Sequence, residues 1–175
     1  MEACMMGREL SIGCQIVIWL LGIHLWLEKG YFEGVMDQYC MMKMTSFGPD
    51  KITFVSVISS CSKLAILGQG KQIHAAAVKA GAISEVSVIS SLVSMYSRCG
   101  CLQDSIKAFL ECKERDVVLW SSMIAAYAFH GQGEEAFKIF NEMELENLPG
   151  NEVTFLSLLY CELKDKGLYI FFMRW

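Results

Sequence analysis

A residue pattern that recurs after 101 positions constrains the fold of this chain more than any other feature. Gly30 follows Trp19 by 11 positions, and Gly131 follows Trp120 by the same interval. Further along, the tripeptide Ile52-Thr53-Phe54 returns as Val153-Thr154-Phe155. Recurrence of this kind is typical of repeat architectures, in which copies of one small unit stack along a line. Because 101 residues are too many for one supersecondary element, the long period must contain shorter units.

A glycine motif marks those shorter units. A glycine is followed after four residues by a small side chain and after three more by an aromatic one, at Gly30-Val35-Tyr39, Gly100-Ser105-Phe109 and Gly131-Ala136-Phe140. Boundaries anchored on these motifs divide the chain into a poorly defined segment 1–15, full units 16–50, 51–85, 86–116 and 117–151, and a partial, degenerate unit 152–175. The first three full units together make up the long period.

Each unit has the pattern of two helices joined by a glycine turn. In unit 86–116, apolar side chains recur at helical spacing on both sides of Gly100, at Val88, Leu92, Val93, Met95 and Tyr96 and then at Leu102, Ile106, Phe109 and Leu110. No single hairpin of this kind buries its own apolar face, so the units must stack. We therefore predict an all-α protein, an α-solenoid of helix-turn-helix repeats wound into a right-handed superhelix with the first helices on the inner face.

The high hydropathy of the chain raises the question of a membrane segment. Hydrophobic residues make up 54% of the 175 residues, and the mean hydropathy is +0.37. The most apolar stretch, residues 16–27, contains His24 and is 12 residues long, whereas a membrane-spanning helix needs about 20 apolar residues. We predict a buried helix there and no membrane partner.

The cysteines and histidines give no sign of a metal site or an active site. The chain has eight cysteines and no recognisable signal peptide, so we expect reduced thiols. Cys99 and Cys101 are separated by one residue, no C-x2-C occurs, and the three histidines lie at no ligand spacing from them. The histidines also fall in different units, with no acidic residue placed to orient them. We predict no metal, no cofactor, no small-molecule substrate and no catalysis.

Several segments resemble the plant pentatricopeptide repeat. The most specific lie in the fourth full unit: Val117-Val118-Leu119-Trp120-Ser121-Ser122-Met123-Ile124, then Gly131, then Glu134-Glu135-Ala136-Phe137. Segments 70–75 and 92–100 resemble the long and short variants of the family's PLS branch. By this resemblance, units 16–50 and 117–151 are standard (P type) repeats, 51–85 is long and 86–116 is short. Tetratricopeptide repeats are the nearest alternative, but a unit as short as 86–116 breaks their uniform period of about 34 residues.

The resemblance implies a modular surface for single-stranded RNA, since pentatricopeptide repeats bind one base per repeat. The base-reading side chains are then the fifth and last residues of each unit, with the second residue packing against the base. Unit 117–151 carries Ser121 and Asn151, with Val118 as the packing residue, and unit 86–116 carries Ser90 and Asp116. A hydroxyl beside an amide suits adenine, and a hydroxyl beside a carboxylate suits guanine. The expected target across these two units is 5′-GA-3′.

The other units are weaker readers by the same resemblance. Unit 16–50 places Leu20 beside Asp50, which leaves one hydrogen bond to the base unmade, and unit 51–85 places Val55 beside Glu85. A structural role stays open for the serine, acidic and amide positions, because such residues also cap helices and form turns. The net charge of −4 and the pI near 5.4 depart from the basic surface of a general nucleic-acid binder. We therefore expect weak binding by this segment alone.

The resemblance further implies a role in organellar RNA metabolism. Members of the PLS branch take part in cytidine-to-uridine editing or RNA processing, in the mitochondrion or the chloroplast, and often carry a C-terminal deaminase-like domain. The H-x-E and P-C-x-x-C signature of that domain does not occur in this sequence, so catalysis would be supplied elsewhere. We expect a fragment or a truncated family member, and residues 1–15 do not resemble a transit peptide.

Two alternatives to RNA binding stay open. The concave face of a helical-repeat protein also suits a peptide or another repeat protein. The chain would then be a scaffold for protein–protein interaction, with other repeat or editing-factor proteins as partners. The degenerate last unit is also consistent with a truncated paralogue that has no retained activity.

Overall fold

The computed structural model describes residues 30–44 and 48–165. Predictions that concern segment 1–15, Trp19, Leu20 or the chain beyond Asp165 lie outside the described residues. Eight α-helices account for most of the described chain: α1 (Phe32–Lys43), α2 (Lys51–Leu64), α3 (Leu67–Lys79), α4 (Val86–Arg98), α5 (Leu102–Glu111), α6 (Val117–Phe129), α7 (Gly133–Leu145) and α8 (Glu152–Asp165). A short 3-10 helix, Ala82–Ser84, precedes α4. The described residues form no β-strand. The prediction of an all-α fold is confirmed.

Four of the helices begin at the first residue of a predicted unit, namely α2, α4, α6 and α8. In three cases the residue before the helix caps it, because a side-chain oxygen accepts a hydrogen bond from a free N–H of the first turn. The three bonds run from Thr53 N to Asp50 at 2.8 Å, from Leu119 N to Asp116 at 2.8 Å and from Thr154 N to Asn151 at 3.0 Å. The division of the units into standard, long and short types stays a prediction.

The turn inside each hairpin needs a residue in the left-handed conformation. Gly100, between α4 and α5, has a φ of 80°. Across this turn Cys101 N donates a hydrogen bond to Tyr96 O at 2.8 Å, which satisfies a carbonyl of the last helical turn. In the α2–α3 hairpin the same position is held by Ala65, with a φ of 53°.

The helices form two layers. The first helices of successive hairpins, α2, α4, α6 and α8, lie side by side in one layer, each packed against the next. The second helices, α3, α5 and α7, lie behind them, each against the first helix of its own hairpin, and α1 packs against α2. Consecutive hairpins are therefore joined mainly through their first helices. None of the helices described is long and apolar enough to cross a bilayer.

The glycine motif organises the core between the two layers. Ser105 and Ala136, at the small position, are fully buried, and Ser105 Oγ donates a hydrogen bond to Val93 O on the facing helix at 2.9 Å. One turn later, Phe109 packs edge-on against Trp120 of the next hairpin, with ring centroids 5.0 Å apart. The small residue thus lets two helices approach, and the aromatic residue ties one hairpin to the next.

Candidate nucleic-acid interface

The second residue of each first helix lies on a solvent-open face of the first-helix layer. Ile52, Val118 and Val153 are 56%, 55% and 53% exposed, and Ser87 is exposed at the same register. Three large apolar side chains held in solvent at unit spacing give this face regular apolar contact points. Val118, predicted to pack against a base, is one of them.

Sequence reasoning missed a serine that recurs at the sixth residue of the first helices. The four serines are Ser56, Ser91, Ser122 and Ser157. The hydroxyls of the last three each donate to the carbonyl oxygen four residues earlier, at 2.7–2.9 Å. Their oxygens keep lone pairs and the side chains are partly exposed, so they line the face with hydrogen-bond acceptors. The recurrence at unit spacing was the signal that would have identified them.

The predicted reading residues of the fourth unit lie in contact with each other. Ser121 is 2% exposed, and its Oγ donates to Val117 O at 2.6 Å. The same oxygen lies 3.2 Å from Oδ1 of Asn151 and 2.8 Å from Oγ1 of Thr154. Asn151 is half-buried just before α8. Residues at the two ends of the unit are thereby brought into one hydrogen-bonded group.

The predicted reading residues of the third unit are not joined in this way. Ser90 is 5% exposed and donates to Val86 O at 2.9 Å. Asp116 is exposed, and its Oδ1 accepts the capping bond from Leu119 N. Within the described residues no hydrogen bond links the Ser90 and Asp116 side chains. The second carboxylate oxygen of Asp116 is left as an acceptor at the surface.

The first and second units offer less to a ligand. Asp50 accepts hydrogen bonds from Thr53 N and Thr53 Oγ1 at 2.8 and 2.7 Å, and its predicted partner Leu20 lies outside the described residues. The Val55 side chain has no hydrogen-bonding group. Glu85 forms a surface ion pair with Lys51, with Nζ and Oε2 3.3 Å apart.

A cavity of about 340 Å³ opens between α4, α6 and α8. Hydroxyls, a cation and two aromatic side chains line it, among them Ser94, Arg98, Ser122, Phe129, Ser157 and Tyr160. Arg98 is the thirteenth residue of its unit, and Lys63 and Lys164 hold that position in the second and fifth units. Phe129 replaces the cation in the fourth unit and is 56% exposed. Positive charge therefore recurs along the first-helix layer at unit spacing, with one interruption.

The titratable groups of the described chain do not assemble into a metal centre. No cluster of three or more His, Cys, Asp and Glu side chains in residues 30–44 and 48–165 has the arrangement of a metal site. Cys40, Cys61, Cys99, Cys101 and Cys112 are free thiols, and burial raises the pKa of Cys61 to about 11. That thiol is protonated at neutral pH and is a poor nucleophile.

Family models match two stretches of the chain, and both belong to one repeat family. A model described as a PPR repeat matches residues 88–117, and a model of the PPR repeat family matches residues 115–164. Together the two stretches cover the α4–α5 and α6–α7 hairpins and most of α8. The residues that carry the predicted 5′-GA-3′ readout fall inside them.

Plant proteins of the same description share extensive sequence with this chain. A pentatricopeptide repeat-containing protein of Arabidopsis thaliana is 59% identical over 132 residues, which is 75% of this chain and 20% of the relative. A mitochondrial one from the same plant is 42% identical over 90% of this chain and 18% of the relative. The chloroplastic pentatricopeptide repeat-containing protein CRR2 is 38% identical over 91% of this chain and 25% of its own length. The chain thus spans about a fifth of the length of these relatives.

Solved structures show the same architecture. The crystal structure of the pentatricopeptide repeat protein PPR10 in complex with an 18-nt psaJ RNA element superposes with a TM-score of 0.73 at 20% identity, over 81% of this chain and 22% of that one. PPR10 from maize superposes with a TM-score of 0.59 over 79% of this chain and 21% of that one. At this level of identity the likeness establishes the solenoid fold.

Proposed function

Because the chain belongs to the pentatricopeptide repeat family, we propose that its open first-helix face binds single-stranded RNA and reads one base per repeat. The observation that carries this proposal is the contact between Ser121 and Asn151. Residues from the two ends of one unit meet there, and Val118, which is 55% exposed, lies three residues before Ser121 on the same helix. Polar groups converging next to an apolar contact surface are what a base needs, since a base offers a hydrogen-bonding edge and an apolar face.

The preferred target is 5′-GA-3′ across the third and fourth units. Asp116 keeps one carboxylate oxygen as an acceptor, which complements the N–H donors on the edge of guanine. Asn151 carries an amide beside the Ser121 hydroxyl, a combination of donors and acceptors that complements adenine. The second unit contributes less, because the Val55 side chain makes no polar contact and Glu85 is paired with Lys51.

Phosphate contacts should contribute less to the affinity of the proposed interface than contacts to the bases. Arg98 lines the cavity between α4, α6 and α8, and Lys63 and Lys164 share its register. The chain as a whole has a net charge of −4, and phosphate contacts normally dominate affinity. Binding should therefore be weak even at low salt, and it should fall only moderately as salt is added, because the salt dependence scales with the number of phosphates contacted.

In the cell, we propose, the protein acts in RNA editing or processing in the mitochondrion or the chloroplast, with catalysis supplied by another protein. The names of two relatives, one mitochondrial and one chloroplastic, support an organellar role. Residues 51–85, 86–116 and 117–151 would serve as long, short and standard repeats, and 16–50 as a further standard repeat.

The test is a binding titration of the intact chain at low salt against RNA oligomers that differ only at the GA step. We expect Ser121→Ala and Asn151→Ala each to reduce the preference for adenine about 5- to 10-fold, since a lost hydrogen bond to a base edge is worth about 1 kcal/mol or more. Ser60→Ala is the matched control, because Ser60 is buried like Ser121 and also donates to the carbonyl oxygen four residues earlier, but holds no predicted reading position. Equal affinity for all oligomers, unchanged by either substitution, would refute base readout.

A scaffold function is the second candidate, and the exposed side of α8 favours it. Phe155, Leu156 and Leu159 are 55%, 65% and 52% exposed, while the residues in the same register of α6, Trp120, Ser121 and Ile124, are at most 2% exposed. Such a surface suits another helical repeat. Binding of a repeat protein that is abolished by Leu156→Asp, with no RNA binding by the same preparation, would favour the scaffold.

A further inference from the structure

Thr154 is the hub of the hydrogen bonds around the Ser121 and Asn151 pair. It is the third residue of α8 and is fully buried, and it belongs to the unit that follows the one it contacts. We propose that Thr154 is a positioning residue for base recognition by the fourth unit, so that this site consists of Ser121, Asn151 and Thr154 and is shared between two units. The proposal rests on the RNA-binding function proposed above and names a residue that sets its specificity.

Thr154 and Asn151 hold each other through two reciprocal hydrogen bonds. Thr154 N donates to Asn151 Oδ1 at 3.0 Å, and Asn151 N donates to Thr154 Oγ1 at 3.1 Å. This is the arrangement of a capping box, with asparagine as the cap and threonine three residues later. It fixes the orientation of the Asn151 side-chain amide, because Oδ1 must face the helix N–H. The Nδ2 group, with its two N–H donors, then occupies the other position of the amide.

The Thr154 hydroxyl also reaches Ser121. Thr154 Oγ1 lies 2.8 Å from Ser121 Oγ and 3.0 Å from Asn151 Oδ1. Besides each other's oxygens, the two hydroxyl groups thus have two acceptors within reach: Val117 O for Ser121, and Asn151 Oδ1 for both Ser121 and Thr154. Ser121 is therefore able to redirect its hydrogen when a base arrives, without leaving a buried polar group unpaired. That freedom depends on Thr154, because no other side chain in the described structure bonds both reading residues.

The other units lack this arrangement. At the start of α6 the residue equivalent to Thr154 is Leu119, which contributes only its backbone N–H to Asp116. At the start of α4 the equivalent residue is Val88, and the preceding Glu85 makes no side-chain capping bond. Thr53 does bond Asp50, at 2.7 Å, but through the carboxylate alone. Among the described units, the fourth is thus the one in which a buried hydroxyl group of the next unit forms hydrogen bonds with both predicted reading residues.

The experiment removes the Thr154 hydroxyl with little change in shape. Thr154→Val in the intact chain is titrated at low salt with RNA oligomers that differ only at the base facing the fourth unit. We expect the ratio of affinities, adenine over each other base, to fall about 3- to 10-fold, the effect of roughly one buried hydrogen bond. Affinity for an oligomer without adenine should stay within about 2-fold. Thr154→Ser, which keeps the hydroxyl, should retain the wild-type ratio.

Thr53→Val is the matched control. Thr53 is equally buried, occupies the same position in its helix and also loses a bond to its capping residue, but it lies two units away from the base in question. A general loss of stability would act alike in both variants, whereas positioning predicts a changed ratio in Thr154→Val alone. An unchanged ratio in Thr154→Val, or an equal fall in Thr53→Val, would overturn the proposal.

A second measurement separates this inference from the function on which it rests. If the wild-type chain shows no base preference, RNA readout fails, and the Asn151 side-chain amide resonances in a ¹⁵N spectrum still report on positioning. We expect the two amide protons to be displaced from the shifts of free asparagine in the wild type and in Thr53→Val, and to move towards those shifts in Thr154→Val. The same resonances in all three proteins would show that Thr154 does not hold the amide. If Thr154→Val does not fold, Thr154→Ala and Thr154→Ser are compared in its place, with the same expected contrast.

Discussion

The second unit (51–85) and the third unit (86–116) build the same hairpin from different residues. α2 and α3 pack as α4 and α5 do, and α2 lies against α4 in the same layer. At the three positions of the glycine motif, however, the second unit has Ala65, Gly70 and His74 where the third has Gly100, Ser105 and Phe109. The fold therefore depends on the shape each position requires, and more than one residue type meets that requirement.

The differences are greatest at the aromatic position. Phe109 is 3% exposed, packs against Trp120 and lies under the Arg115 guanidinium, 4.5 Å from its ring centroid. His74 is half-buried and meets Tyr96 edge-on, with Nδ1 2.8 Å from Oη. Burial lowers the pKa of His74 and raises that of Tyr96 to about 12. Both rings are thus neutral near pH 7.5, and the contact in the second unit is a polar one.

The predicted reading positions differ in the same direction. The third unit presents Ser90 and Asp116, whereas the second presents Val55, with no polar group, and Glu85, held by Lys51. Two hairpins of the same fold therefore differ both in how tightly they are packed and in what they offer to a ligand. The stabilities of matched variants test the first difference directly.

The largest expected difference is at the aromatic position. Phe109→Ala should lower the free energy of unfolding by about 3–5 kcal/mol, because it empties a buried site between two hairpins. His74→Ala should lower it by about 1–2 kcal/mol, since one hydrogen bond and one edge contact are lost. Urea unfolding at pH 7.5, where His74 is neutral, measures both. Equal losses would mean that the histidine packs as tightly as the phenylalanine and that the comparison is wrong.

An intermediate effect is expected at the small position of the second unit. A Cβ added to Gly70 would lie 2.5 Å from Sδ of Met95, which is fully buried. Gly70→Ala should therefore cost about 1–2 kcal/mol, as overpacking of a core does, in spite of alanine's higher helix propensity.

Gly68→Ala in the same helix is the control for Gly70→Ala. A Cβ at Gly68 would meet no atom within 4 Å, so this change should stabilise the helix by about 0.5–1 kcal/mol. The two variants therefore have opposite signs in urea unfolding. If both stabilise, Met95 yields without cost, and glycine is not required where the third unit has Ser105.

The same two units show which features of the fold are predictable from the sequence. The helix starts at Lys51, Val117 and Glu152 follow from capping residues and the start at Val86 from apolar spacing, and both are local signals. The glycine motif was found in units that keep all three of its residue types, and it was missed in the second unit because Ala65, Gly70 and His74 depart from it. Substitutes for a position are recognised by backbone conformation and packing, which only the structure supplies.

The candidate site was predictable in part for the same reason. Ser121 and Asn151 were identified because a family pattern gives them a fixed register. Thr154 was not, because it belongs to the next unit and meets Ser121 only when α6 and α8 pack side by side. Contacts that cross a unit boundary depend on how hairpins stack, and no periodicity within one unit reveals them.

The smallest expected effect is at the turn. Ala65 has a φ of 53° and a ψ of 37°, a left-handed conformation that costs a residue with a Cβ about 1–2 kcal/mol. Glycine removes this strain but adds disorder to the unfolded chain, so Ala65→Gly should stabilise the protein by about 0.5–1 kcal/mol. Gly100→Ala, at the same position of the third unit, should destabilise it by a similar amount, since a Cβ there meets no atom within 4 Å and only the backbone conformation opposes it. Thermal unfolding of the two variants measures both signs. Destabilisation by Ala65→Gly would mean that the Ala65 methyl group has a packing role in the second unit that outweighs its strained backbone.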